Sequence, residues 1–98
     1  MGINDLLGQL DETIRPLVKS AYEALDELSP KKDLFPLGVP RIQIVIKVRN
    51  AFSSPEGIKT WESYEGTKRI ELVQRALDIL CENKLASSEK GERYKIVR

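Results

Sequence analysis

From Ile3 the apolar side chains recur as Ile3, Leu7, Leu10, Ile14, Leu17, Ala21, Leu25 and Leu28, at steps of three and four residues. That spacing keeps one face of an α-helix apolar and predicts an amphipathic N-terminal helix over residues 1–29. Asn4 or Asp5 can cap its start. Pro16 is discordant, because it lacks the amide that would bond to Glu12 and it crowds the preceding turn. A kink there, or two shorter helices, fits as well as one straight rod. Leu6, Val18 and Tyr22 widen the stripe. The stripe either packs on its own domain or pairs with a second copy, which suits a small chain short of internal core. On the second reading those eight residues form a dimerisation element and the protein is a homodimer.

Ser29 and Pro30 break the pattern, and residues 30–39 read as a linker in which Leu34, Phe35, Leu37 and Val39 alternate with prolines and Gly38. Residues 40–98 then form the remaining domain. Ile42, Ile44, Ile46 and Val48 alternate as a strand does, yet Ile42, Val45, Ile46, Arg49 and Phe52 also share a helical face. We favour a helix over 41–52, with Pro40 near its start. Ser53 or Ser54 can cap a second helix that has Pro55 in its first turn and Ile58, Trp61 and Tyr64 on its inner side. Gly57 weakens that helix, and Gly66 closes it through a left-handed backbone. Thr67 can cap the next helix, over 67–83, where Ile70, Val73, Leu77 and Leu80 mark the buried stripe. Asn83-Lys84 ends it and Leu85 folds back into the core. Residues 86–97 read as two short strands joined at Lys90-Gly91.

The order of helix, short helix, glycine turn, long helix and terminal hairpin resembles the winged helix-turn-helix family over roughly residues 40–98. The most specific stretch runs from Val73 to Leu85, followed by the hairpin. The implied fold is mainly α with a small β-hairpin: a winged helix-turn-helix preceded by a long N-terminal helix. The resemblance implies a DNA-binding module, such as a small transcription regulator, with the helix at 67–83 entering the major groove of double-stranded DNA and the wing at 86–97 beside it. Carried over residue by residue, Gln74 is suited to adenine, Arg75 to guanine or phosphate, Thr67 and Lys68 to phosphate at the helix start, and Lys90, Arg93 and Lys95 to wing contacts. Against this, Glu71 and Asp78 lie on the same helix, and Glu89 and Glu92 flank the wing tip. The fold also serves widely for protein contacts, so a protein-interaction or complex-assembly module without DNA binding is the alternative.

Charge alters this picture only modestly. The chain's net charge is +1, but residues 1–37 carry four basic against seven acidic residues, and residues 38–98 carry twelve against eight. The C-terminal part is thus the more attractive one to phosphate. Histidine is absent, which removes the commonest neutral base and a common metal ligand. Cys81 is the only cysteine and lies beside an apolar stripe, so packing is its expected role. The acidic pairs sit in no metal motif and the glycines form no phosphate loop. No catalytic residue, cofactor or metal is expected, and the chain is read as a non-enzyme. With no export signal and no apolar run of membrane length, a soluble, intracellular, cytoplasmic protein is expected.

Overall fold

The computed structural model describes residues 2–28, 38–64, 68–89 and 93–97. The N-terminal stripe forms two helices, α1 (Ile3–Gly8) and α2 (Arg15–Leu28), in place of one rod. Pro16 is the reason. As the second residue of α2 its missing amide falls in a first turn, where amides lack helical partners anyway. The turn between the helices is pinned by Arg15, whose guanidinium donates to the Leu10 carbonyl at 2.6 Å, and by the Tyr64 hydroxyl, which donates to the Thr13 carbonyl at 3.1 Å.

α2 packs on α3 (Arg41–Ala51) and α5 (Lys68–Glu82). Leu17, Val18, Ala21 and Leu25 are at most 1% exposed, and Ala24 and Leu28 are also buried. Ile3, Leu7, Leu10 and Ile14 are half-buried against the same core. Leu17, Ala21, Leu25 and Leu28, four of the eight residues expected to dimerise, are thus taken up by the chain's own core. The physical reason is the counterface, since Val73, Ala76, Leu77 and Leu80 of α5 and Ile44 and Val48 of α3 are all fully buried. An apolar stripe facing them leaves water without needing a second chain.

The segment after Pro40 is the helix α3, not a strand, but its inner face differs from the expected one. Ile44, Val48 and Phe52 are buried, whereas Ile42 and Ile46 are 59% and 46% exposed. A short strand sets this phase. β1 (Val39–Pro40) pairs antiparallel with β3 (Arg93–Ile96), Val39 opposite Tyr94 and Pro40 opposite Arg93. Gly38 permits the approach, with φ at 107° and a Cβ there only 3.2 Å from the Tyr94 carbonyl oxygen. With β1 anchored, α3 starts at once and turns Ile44 and Val48 toward α2 and α5. Lys47, bonded to Glu27 of α2 at 2.7 Å, agrees with that phase.

α4 (Pro55–Ser63) begins as expected: the Ser54 hydroxyl accepts from the Gly57 amide at 3.0 Å, with Pro55 first in the helix. α5 ends in a left-handed cap. Lys84 has φ of 60°, its amide bonds back to Cys81, and the Leu85 amide reaches the Leu80 carbonyl at 2.9 Å. Leu85 is thereby folded into the core. β2 (Ala86–Glu89) pairs with β3 from Ala86 opposite Ile96 to Glu89 opposite Arg93, giving a sheet of order β1-β3-β2. The cap and turn assigned to Gly66, Thr67, Lys90 and Gly91 lie outside the described residues. The whole is a mainly helical domain with a small antiparallel sheet, winged-helix-like in general shape.

Candidate functional site

Two surfaces compete for the role of working face. The first is the outward side of α5 with the hairpin, where the DNA contacts were expected. Among those residues, Thr67 and Lys90 lie outside the described residues, and Lys68 is placed only as the first residue of α5. Gln74 is not free. Its amide nitrogen donates to Asp78 at 2.9 Å and to the Tyr94 hydroxyl at 2.7 Å, while its carbonyl accepts from Arg41 at 2.8 Å. Reading adenine would break this set, so Gln74 serves as a tie between α3, α5 and β3. Tyr94 is almost fully buried, and burial pushes its hydroxyl pKa up, so it stays a neutral partner.

Arg75 is exposed, and among the α5 side chains that are described it shares its outward stripe with Glu71, Asp78 and Glu82. Duplex DNA, with a negative charge about every 1.7 Å of its axis, would be repelled by that stripe. Arg93 is half-buried and donates to the Gly38 carbonyl at 3.4 Å. Lys95 is exposed on β3 and neighbours Ser87 across the ladder. The structure thus brings Gln74 into contact with the sheet and leaves Arg75 and Lys95 facing water.

The second surface lies where core was expected. Ile42, Ile46, Ile58 and Ile70 are between 46% and 59% exposed. On α3, Ile42, Val45, Ile46 and Arg49 recur at helical spacing and form an outward face opposite Ile44 and Val48. α3 is consequently apolar on both sides, a composition that suits a helix covered on both sides. The outward face leads into an open groove of about 680 Å³ between α3, α4 and the start of α5. α3 lines it with Val45 and Arg49, α4 with Ile58, Trp61 and Glu62, and α5 with Arg69 and Ile70. The Phe52 and Trp61 rings lie 5.7 Å apart, and the Arg69 guanidinium stands 5.4 Å over the Trp61 ring while bonding the Tyr64 carbonyl. Trp61 is thus flanked by the Phe52 ring and the Arg69 guanidinium.

Sequence reasoning placed Ile42, Ile58 and Ile70 inside and so missed this surface. The available signal was the run Ile42, Ile44, Val45, Ile46, Val48, which offers more apolar side chains than one helical face can hold. Cys81 is half-buried; burial and the nearby Asp78 raise its thiol pKa against a lowering hydrogen bond from Ser88, which keeps the thiol protonated. Among the described residues no group of side chains is arranged to hold a metal ion, and no helix is long and apolar enough to cross a membrane. No family model, no curated protein and no solved structure matches this chain, so its likeness to winged-helix domains rests on element order and sheet topology.

Proposed function

We propose that this protein is an assembly module that works by protein contact through the outward face of α3 and the groove it shares with α4 and α5. One observation carries the reading: half-exposed Ile58 and Ile70 line a groove with Val45 and Trp61, and the adjoining α3 exposes Ile42 and Ile46 as well. Isolated exposed apolar residues are ordinary, but apolar and aromatic side chains that line a shared groove suit a contact surface. The side chains also suit docking. Isoleucine is stiff at its first torsion and loses little entropy on burial, and Trp61 is an aromatic anchor flanked by Phe52 and Arg69. The test is photocrosslinking in the native host from positions 46 and 70, with positions 75 and 95 as controls. Protein adducts from 46 and 70 alone are expected. Nucleic-acid adducts from 75 and 95, with 46 and 70 silent, would reverse the reading.

DNA binding is the second reading, favoured by Arg75 and Lys95, both exposed and without an intrachain partner among the described residues. On that reading, random duplex binds at low salt, the Arg75→Ala/Lys95→Ala variant binds more weakly, and neutralising Glu71 and Asp78 tightens binding. A parent that fails to shift duplex at about 20 mM salt, where phosphate contacts are strongest, removes this reading.

A further inference from the structure

We infer that the occupant of the α3–α4–α5 face is a second copy of this chain, docked about a two-fold axis over the groove; this rests on the protein-contact reading above. The argument is charge complementarity across the groove. Its lining carries opposite charges: Arg49 on the α3 side and Glu62 on the α4 side, both exposed. Neither has an ion pair or side-chain hydrogen bond among the described residues. The third charge at the groove, Arg69, is engaged with Tyr64 and Trp61. A uniformly acidic or basic partner would satisfy one free side and repel the other.

A second copy satisfies both. A two-fold axis that runs along the groove sets the α3 side of each chain against the α4 side of the other, so Arg49 meets Glu62 of the second copy twice over, once on each side. Ile58 and Ile70 of the two chains form the apolar part of the groove, and the exposed Ile42 and Ile46 of α3 extend the face beyond it. A standard interface removes roughly 800 Å² per partner, about an eighth of this chain's 6437 Å². The face draws on three of the five helices among the described residues, whereas α3 alone is only about 16 Å long. Leu17, Ala21, Leu25 and Leu28 of α2 are unavailable for the purpose, because they are buried in the core.

The experiment is light scattering on the full chain from about 1 µM to about 1 mM, the range of transient to moderate affinities, with two charge reversals. The parent is expected to reach twice the 11.1 kDa chain mass as concentration rises. Arg49→Glu alone and Glu62→Arg alone each turn two attractions into two repulsions and should weaken self-association about tenfold. An equimolar mixture of the two single variants should recover it, since every side then again meets its opposite. The double variant should recover it too. All these residues are exposed, and unchanged circular dichroism verifies the fold. A parent that stays monomeric throughout, or single variants that associate as well as the parent, overturns the second copy as occupant. The broader contact reading fails separately, when position 46 crosslinks to no protein of any kind.

Discussion

Replacing Gly57 by alanine sets two effects of opposite sign against each other. In an open helix the change stabilises by about 1 kcal/mol, because glycine carries excess backbone freedom in the unfolded chain. Here the new Cβ would lie 2.9 Å from the backbone Cα and carbonyl carbon of Phe52 and 3.0 Å from the Ser54 hydroxyl oxygen. The first two are backbone atoms that cannot swing aside, and the third is the capping oxygen bonded to the Gly57 amide. Relief requires the first turn of α4 to move off the end of α3. Forced overpacking costs roughly 1–3 kcal/mol, and part of a cap worth about 1 kcal/mol goes with it. The clash outweighs the propensity gain, and a net loss of about 1–2 kcal/mol is expected. For a domain of this size that is a fall in Tm of roughly 5–10 °C. The assay is thermal and urea unfolding at one fixed protein concentration, with Gly8→Ala as control. No atom lies within 4 Å of a Cβ at Gly8, so that variant should match or exceed the parent. A Gly57→Ala protein as stable as the parent, beside a well-behaved control, would refute the close packing of α4 on Phe52 and with it the position of the groove.

Other outcomes follow from the same geometry. Leu77→Ala should cost about 2–5 kcal/mol by urea unfolding, because Leu77 is fully buried, whereas Ile46→Ala in dilute solution should change stability by about 0.5 kcal/mol or less. Lys84→Gly should add about 0.5 kcal/mol, the left-handed strain relieved at φ of 60° exceeding the entropy that glycine adds to the unfolded chain. Burial raises the pKa of Cys81 above 9.0 and those of Tyr64 and Tyr94 above 10.0, so the folded state keeps protons that the unfolded chain releases. Their effect is nil well below pH 9, and Tm should fall as pH climbs through 9 and 10 and beyond; a Tm that rises there would contradict their burial. For the same reason Cys81 should react with iodoacetamide more slowly at neutral pH than an unhindered thiol.

The features that the sequence announces are local ones. The three-and-four spacing of Val73, Leu77 and Leu80 identifies α5, Ser54-Pro55 marks the start of α4, and the alternation around Tyr94 marks β3. What escaped depends on partners far along the chain. Ile42 and Ile44 are equally apolar, and the choice between them as the inner residue is made by Val39 pairing with Tyr94 at the other end of the domain. Gln74 reads as a free polar position on a helix, yet its partners Arg41 and Tyr94 lie 33 and 20 residues away. The N-terminal stripe showed its apolar face but not what would cover it, since one helix offers the same pattern to its own core and to a second copy. The candidate contact face was visible only as a surplus of apolar residues in α3, and the surplus became a surface once the phase of that helix was set.

The most direct test measures the exposure of the isoleucine methyl groups themselves. In a protein labelled at isoleucine methyls, a neutral soluble paramagnet would be titrated at low and at high protein concentration. At low concentration Ile42, Ile46, Ile58 and Ile70 should relax strongly and Ile44, which is fully buried, should not. At high concentration the first four should become protected together while amides along the Glu71–Glu82 stripe of α5 stay accessible. Four methyls that remain exposed at every concentration, with protection developing instead along the α5 stripe, would contradict the assignment of this face as the working surface.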